Sequence, residues 1–195
     1  MHRKEVVALA VKLGRGNPAR GTGTALILAT NPDLHIRGEL ARQIVPISGP
    51  LLTIYALQQA PKPLGSIVRL RVPTLSYRDI YCAVAYPVTA QEAATLSWDK
   101  IEDTLVRALE LAQHDEHQDV TVAFFFDAPY LHAALESSRV RDMMLRAGEL
   151  FPEMSICILC WEDHQYVEQK EPEEEATPSK KPGRRRKEVS ANADS

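Results

Sequence analysis

The residues best suited to hold a ligand lie between positions 15 and 50 of the chain. The apolar run at 25–29 has the length of a buried strand, and Asn31-Pro32-Asp33 ends it because proline cannot join a central ladder. Arg37 and Gly38 follow, and apolar residues at helical spacing come next. A loop between the carboxyl end of a strand and a helix offers backbone N–H groups and partial positive charge. The stretch therefore predicts a ligand site at this loop.

Other chemistries find less support in the sequence. It contains no serine nucleophile elbow, no P-loop, no HExxH motif and no dinucleotide fingerprint. His114 and His117 flank two acidic residues, which is compatible with a metal ion but typical of a polar helix end, the interpretation we favour. His35 lies in the predicted ligand loop, where a general base would be useful, although a solvent-facing loop histidine is the commoner case. We therefore predict no catalytic residue, no metal site and no cofactor.

Length and composition fit one globular domain followed by a tail. The chain has 195 residues and a formal net charge of −3, so charge alone makes no case for nucleic acid. The odd count of 3 cysteines argues for a reducing compartment. Cys157 and Cys160 have CxxC spacing but lie in an apolar strand, and we interpret them as buried structural thiols. We find no run that could span a bilayer, hence no membrane partner, and no secretory signal.

Hydrophobic periodicity predicts strands that alternate with helices. The predicted strands cover 6–11, 25–29, 67–72, 80–85, 119–126 and 154–161, and the predicted helices cover 40–47, 51–59, 89–114 and 130–150. The segment 12–24 is rich in Gly, Arg and Asn, and we expect a loop there. The late strands are apolar throughout, which favours a sheet covered on both faces.

The stretch 15–50 resembles the opening of the macro domain, a family of ADP-ribose-binding modules. That family begins with Gly-Asp-Ile-Thr, continues with a strand that ends Asn-Ala-Ala-Asn, and follows with a run of glycines and a helix. Without a gap, these motifs fall on Gly16-Asn17-Pro18-Ala19, on Leu28-Ala29-Thr30-Asn31 and on Ile36-Arg37-Gly38-Glu39. The later elements match in order and spacing, so the resemblance covers about Val6 to Tyr166.

The two phosphate-binding loops depart from the pattern of the family. In the first loop, only Gly38 remains from the glycine run. The second loop, Ser-Thr-Gly-Ile-aromatic-Gly in the family, corresponds to residues 127–133 and has no glycine. Pro129 lacks a backbone N–H, and a side chain at Tyr130 would crowd a close approach of the backbone. Asp127 adds a negative charge that repels phosphate.

The resemblance implies a fold and a set of ligand contacts. The fold is α/β, a three-layer α/β/α macro-domain-like architecture with a mixed, mostly parallel central sheet. Asn17 stands where the family has the Asp that contacts the adenine amine, Asn31 where an Asn contacts the distal ribose, and Trp161 where an aromatic lies beside the adenine. Arg37 can pair with a phosphate, and Gly38 is the surviving loop glycine. The implied ligand is ADP-ribose or an ADP-ribosylated protein.

The chain keeps the order of elements of the macro domain, but its two phosphate-binding loops are altered. This combination predicts a diverged macro-domain-like module without catalysis. It would bind an ADP-ribose-related nucleotide weakly, or use the cleft for a protein or nucleic-acid partner. Two alternatives remain open. One is an active ADP-ribosyl hydrolase that removes ADP-ribose from proteins, keeps Asn31 and binds phosphate through Arg37. The other is a nucleic-acid-binding module that uses Arg15, Arg20 and the tail.

The composition changes near the carboxyl end of the chain. We expect residues 1–167 to form the macro-domain-like globular domain and residues 168–195 a disordered charged tail, because hydrophobicity collapses there. The tail contains a dense basic cluster, which consists of Lys180, Lys181, Arg184, Arg185, Arg186 and Lys187. The cluster resembles a monopartite nuclear localisation signal. It predicts an import receptor as partner and a nuclear or nucleocytoplasmic location.

Overall fold

The computed structural model of the chain describes residues 11–93, 96–124 and 137–160. Residues 1–10, the second phosphate loop, Trp161 and the basic tail lie outside these ranges. The predicted domain boundary at residue 167 lies outside them as well.

One sheet forms the centre of the described fold. Its strands, in spatial order, are β1 (Val11–Arg15), β6 (Ser155–Cys160), β5 (Asp119–Ala123), β2 (Ala25–Thr30), β4 (Asp79–Val84) and β3 (Ile67–Leu70). Neighbours among the first five strands run parallel, whereas β3 runs antiparallel to β4 at the edge. The sheet is therefore mixed and mostly parallel, as predicted.

Two longer helices cover one face of the sheet, α4 (Trp98–His114) and α5 (Ser137–Glu149). The buried residues of α4 recur every three to four positions, from Ile101 through Leu105 to Ala112, which is the spacing of one helix face. They pack with the strand residues that point to this side, among them Ile27 and Tyr81. A four-residue helix, α3 (Ala90–Ala93), precedes them in the chain.

The opposite face carries α1 (Gly38–Ser48) and α2 (Leu51–Leu57). Leu40 and Ile44 of α1 and Leu52 of α2 are fully or almost fully buried against strand residues such as Leu26. Successive strand residues alternate between the two faces, so β2 contributes to both cores and is buried at all of its positions. The predicted three-layer α/β/α architecture is thereby confirmed.

Two sequence predictions about individual elements are wrong. Residues 12–15, expected in a loop, belong to β1 and pair with β6 from Val11↔Ile156 to Arg15↔Cys160. Lys12, Gly14 and Arg15 open a segment rich in Gly, Arg and Asn, which is typical of a loop. The ladder with β6 nevertheless makes these residues a strand, because backbone hydrogen bonds do not depend on side-chain type. The single helix expected at 89–114 is two helices, because the Ser97 hydroxyl accepts a hydrogen bond from the Lys100 N–H and starts α4 anew.

No single helix among the described residues is long and apolar enough to cross a membrane. The pair Leu40–Ser48 and Leu51–Leu57 reaches that length and composition only together, and it is bent by 110°.

Candidate functional site

The parallel strands bring their carboxyl ends to one edge of the sheet. Thr30, the last residue of β2, pairs with Val84, the last residue of β4, and Arg15 likewise pairs with Cys160. The loop that leaves β2 at Asn31 therefore opens at the same edge as the exit of β1. This first loop, residues 31–37, leads directly into α1.

Asn31 organises the turn that begins the first loop. The residue is buried, with 7% of its surface exposed. The Asn31 Oδ1 accepts a hydrogen bond from the His35 N–H at 3.3 Å, and the Asn31 carbonyl accepts one from the Leu34 N–H at 2.9 Å. Within the described residues, nothing accepts a hydrogen bond from Nδ2. The side chain thus holds the loop by its oxygen and keeps its nitrogen available as a donor.

The loop is anchored by two buried apolar side chains. Leu34 has φ of 51°, a left-handed conformation that costs a leucine about 1–2 kcal/mol. The side chain is fully buried, which contributes about 2 kcal/mol and offsets that cost. Ile36 is also buried. Burial therefore alternates along the loop, and the side chains of His35 and Arg37 lie on its more exposed side.

The side chains of His35 and Arg37 contact each other directly. The Arg37 Nη2 lies 2.7 Å from the His35 Nδ1. Arg37 also occupies the N-cap position of α1, with no side-chain hydrogen bond to the helix. Gly38, the first residue of α1, has φ of 54°, which glycine adopts without strain. The sequence placed Arg37 and Gly38 at this loop, but it did not predict the pairing of Arg37 with His35.

Asn17 links the exit of β1 to α1. It caps a short 3₁₀ helix, Pro18–Arg20, where its Oδ1 accepts a hydrogen bond from the Ala19 N–H at 2.8 Å. Its Nδ2 donates to the Gln43 carbonyl of α1 at 2.9 Å. Both polar atoms of the amide therefore have partners within the chain. Asn17 lies beside the helix that the first loop starts, and its predicted contact with adenine stays a prediction.

A cavity of about 430 Å³ lies between the 3₁₀ helix and strands β1, β5 and β6. It has the size of a small-molecule pocket. Asn17, Arg15 and Arg20 are among its lining residues, whereas Asn31, Arg37 and Gly38 are not. The cavity and the first loop are thus separate features. Asn17 lines the cavity and is also hydrogen-bonded to α1.

Solved structures of other proteins share the fold of this chain. No family model and no curated protein matches the sequence. The Oceanobacillus iheyensis macrodomain with ADP matches at a TM-score of 0.67 and 15% identity, over 82% of this chain and 87% of that one. The macro domain of ganglioside induced differentiation associated protein 2 matches at 0.63 and 17% identity, over 85% and 82%. The chain has the macrodomain fold.

A Trypanosoma brucei macrodomain in complex with ADP matches similarly, with a TM-score of 0.65 and 14% identity over 83% of this chain and 68% of that one. The predicted resemblance to the macro domain is therefore confirmed at the level of the fold. The first loop of this chain occupies the strand-to-helix position at the carboxyl edge of the macrodomain sheet.

A second polar cluster lies at the amino edge of the sheet. Asp79 begins β4 and is fully buried. Arg69 binds both of its oxygens at 2.8 Å, and Arg71 donates to Oδ1 at 2.9 Å. These bonds hold the pKa of Asp79 well below its usual range, with the hydrogen bond from Arg69 the largest cause. Because the carboxylate is fully buried and both of its oxygens are paired with arginines, we interpret this cluster as structural.

His117 completes the Asp79 cluster. Its side chain is fully buried, with Nε2 3.1 Å from the Asp79 Oδ2 and Nδ1 3.0 Å from the Thr24 Oγ1. Burial and the nearby Arg78 lower the pKa of His117 and outweigh the opposing effect of Asp79. The sequence pattern predicted a polar helix end at His117 and did not indicate this cluster. The alternation of Arg69 and Arg71 with apolar residues was a signal that they share one strand face.

The histidines and cysteines that the sequence singled out are spread through the fold. The side chain of His114 is 84% exposed, so it is separated from the buried His117. Among the described residues, no group of three or more His, Cys, Asp or Glu side chains could hold a metal ion. Cys157 is only partly buried and lines the cavity beside the 3₁₀ helix, contrary to the expectation of a buried thiol. The Cys160 side chain lies outside what the structure describes.

Proposed function

We propose that this protein is a non-catalytic module that binds an ADP-ribose-related nucleotide at the carboxyl edge of its sheet. The proposed ligand contacts are Asn31 and Arg37 of the first loop and Gly38, which begins α1. The observation that carries the proposal is the geometry of Asn31, which is buried, bonded to the loop through Oδ1 and left with a donor at Nδ2. The macrodomain fold supports it, since two solved macrodomains of this fold have ADP bound.

Each proposed contact has a chemical reason. The Asn31 Nδ2 donates to a ribose hydroxyl, which accepts a hydrogen bond through its oxygen. The Arg37 guanidinium pairs with a phosphate, for which it supplies two parallel N–H donors. Gly38 has no side chain and lets the phosphate approach the backbone at the start of α1. Asn17 and Trp161 contribute the adenine contacts that the family resemblance implies.

Weak binding without hydrolysis follows from the loop sequences. The resemblance to macro domains implies two glycine-rich loops whose backbone N–H groups surround the diphosphate. In this chain the first loop keeps Gly38 alone, and residues 127–133 contain no glycine. Pro129 removes one N–H donor. Fewer backbone donors lower the affinity for phosphate, and a loop with fewer glycines offers less freedom to position a ribose and a water for reaction.

Calorimetric titration of the full chain with ADP-ribose, with AMP in parallel, tests the proposal. We expect saturable heat for ADP-ribose in the parent protein. Asn31→Asp keeps the oxygen that accepts from the His35 N–H, but it replaces the Nδ2 donor by a charged oxygen near the phosphates. It should therefore lose most of the affinity. Because Asn31 is buried, a carboxylate there also lowers stability, so thermal melting of each variant separates loss of the contact from loss of the fold. Gln113→Glu is the matched control, because it makes the same amide-to-carboxylate change at an exposed position of α4.

Three results would overturn the proposal. The absence of heat in the parent protein would exclude nucleotide binding at this fold edge. Equal affinity in Asn31→Asp and the parent would place the ligand elsewhere, with the cavity beside the 3₁₀ helix as the next candidate. Release of ADP-ribose from a modified protein, abolished by Asn31→Ala, would favour the hydrolase alternative over a purely binding role.

A further inference from the structure

We infer that His35 is a positioning residue that orients Arg37 for a phosphate group, so that a paired side-chain cation replaces the glycine-rich loop as the phosphate-recognition element. The inference rests on the proposed function and deepens it, because it names the class of ligand. The site would select adenine nucleotides by their phosphates and would bind the unphosphorylated nucleoside poorly.

The geometry of the pair determines which atom carries the proton. A guanidinium has N–H donors and no acceptor. The contact of 2.7 Å between the Arg37 Nη2 and the His35 Nδ1 is therefore a hydrogen bond in which Arg37 donates and Nδ1 accepts. It follows that the imidazole is neutral in this arrangement and carries its proton on Nε2. One ring nitrogen thus holds the arginine and the other is left as a donor.

His35 is in turn held by the loop. Its backbone N–H is bonded to Asn31 Oδ1, and it is flanked by the buried Leu34 and Ile36. Asn31, His35 and Arg37 therefore form one connected series at the carboxyl end of β2. An arginine on an exposed loop samples many rotamers, and ordering it costs entropy on binding. The hydrogen bond to His35 reduces that cost before the ligand arrives.

Arg37 keeps most of its donors for a ligand. Within the described residues, His35 is the one hydrogen-bond partner of the Arg37 side chain. The remaining N–H groups can meet two phosphate oxygens in the paired geometry that guanidinium favours. Where the macro-domain family has a run of glycines, this chain has Ile36 and Arg37 before the one remaining glycine, Gly38. A charged side chain thus lies where backbone donors were lost, which points to phosphate as the recognised group.

A double-mutant cycle on the full chain tests the inference, with ADP-ribose and adenosine as probes in calorimetry. Arg37→Ala should weaken ADP-ribose binding by about tenfold or more, as expected for a hydrogen bond to a charged group. His35→Phe keeps the ring size but removes the acceptor, and should weaken binding by about fivefold. His35→Asn places an amide oxygen near the former Nδ1 and should restore most of the affinity. Adenosine binding should change in none of these variants.

The decisive readout is the coupling between the two residues. If His35 acts through Arg37, then His35→Phe has no further effect once Arg37 is alanine. Equal and additive losses in both backgrounds would overturn the inference, as would unchanged ADP-ribose affinity in Arg37→Ala. Thermal melting of each variant separates these results from unfolding. Nitrogen-15 spectra of the histidine rings should show His35 protonated on Nε2 in the parent, and a redistributed tautomer in Arg37→Ala.

Failure of the proposed function can be distinguished from failure of this inference. If the parent binds no ADP-ribose, inorganic pyrophosphate is titrated while the His35 ring and Arg37 Nε–H resonances are followed. Shifts of both resonances, absent in Arg37→Ala, would support the phosphate-binding pair without the nucleotide. If pyrophosphate leaves both resonances unchanged, the His35–Arg37 pair does not bind phosphate, and the inference is overturned as well.

Discussion

The buried carboxylate of Asp79 illustrates how single residues stabilise this fold. A buried charge is costly unless it is paired and hydrogen-bonded. Asp79 meets both conditions through Arg69, Arg71 and His117, which come from the neighbouring strand, its extension and the loop before β5. The arginines are partly exposed, so water screens part of each attraction. The cluster consequently joins three segments of the chain at one point of the amino edge.

The pH dependence of stability follows from the same cluster. The pKa of His117 is lowered in the folded protein, whereas an unfolded histidine titrates near 6.5. The unfolded chain therefore takes up a proton below about pH 6.5 that the folded chain does not, and stability falls as the pH drops through that value, by up to about 1.4 kcal/mol per pH unit. Asp79 and Asp115 have lowered pKa values, so their contribution is lost only below about pH 4.

Urea unfolding of the full chain between pH 8 and pH 5 measures this effect. His117→Gln should flatten the decline below pH 6.5, because the neutral amide does not titrate. His114→Gln is the control, since that side chain is 84% exposed, and its pH profile should match the parent. A parent whose stability rises towards pH 5, or a decline of equal slope in His117→Gln, would contradict the assignment.

At the scale of elements, the turn after the 3₁₀ helix depends on the absence of a side chain. Gly21 ends the 3₁₀ helix with φ of −62°, which any residue can adopt, so its requirement is space. A Cβ at this position would lie 1.8 Å from the Tyr77 hydroxyl oxygen and 3.0 Å from the Thr121 Oγ1. The same hydroxyl donates to the Pro18 carbonyl at 2.6 Å. Tyr77 therefore ties the segment before β4 to the 3₁₀ helix across Gly21.

We expect Gly21→Ala to lower the free energy of unfolding by about 1–3 kcal/mol, because the added methyl group displaces the tyrosine ring. Tyr77→Phe removes the oxygen that the Cβ would meet, at the cost of one hydrogen bond, about 1 kcal/mol. The two losses should be less than additive in the double variant, as measured by urea unfolding. Strict additivity would show that the methyl group is accommodated in some other way.

At the scale of the whole molecule, the basic cluster at 180–187 predicts nuclear import. Its residues lie outside the described structure, and the expectation rests on charge density in a segment of low hydrophobicity. Fused to a reporter too large for rapid passive diffusion, the full chain should accumulate in the nucleus of a eukaryotic cell. Replacing the four residues from Arg184 to Lys187 by alanine should remove that accumulation.

A control variant neutralises charge elsewhere in the same tail. Glu173, Glu174 and Glu175 are replaced by glutamine, and the reporter should still enter the nucleus. Cytoplasmic retention of the parent fusion, or nuclear accumulation of the alanine variant, would contradict the prediction. The cluster would then be a group of solvent-exposed charges that no import receptor binds.

Much of the architecture is readable from the sequence, because burial is encoded in local periodicity. The apolar runs that became β2, β5 and β6 and the helical stripe of α4 were all recognised, within a few residues at their ends. Residues 12–15 were assigned to a loop because Lys12, Gly14 and Arg15 interrupt the apolar pattern, and they become a strand by pairing with β6. The close packing of β1 against β6 also requires a residue without a side chain at Gly14, since a Cβ there would lie 2.8 Å from the Cys157 Sγ.

The sequence by itself determined the order of the elements, the macro-domain resemblance and the position of Asn31, Arg37 and Gly38 in the first loop. These features depend on spacing within a few turns of chain. The tertiary structure alone decided which polar atoms are used: the Arg37–His35 contact, the two bonds that occupy Asn17, and the Asp79–His117 cluster. Hydrogen bonds require angstrom-level placement. Where the partners lie 26 or 38 residues apart, as for Asn17 and for His117, that placement is set by strand register and helix packing.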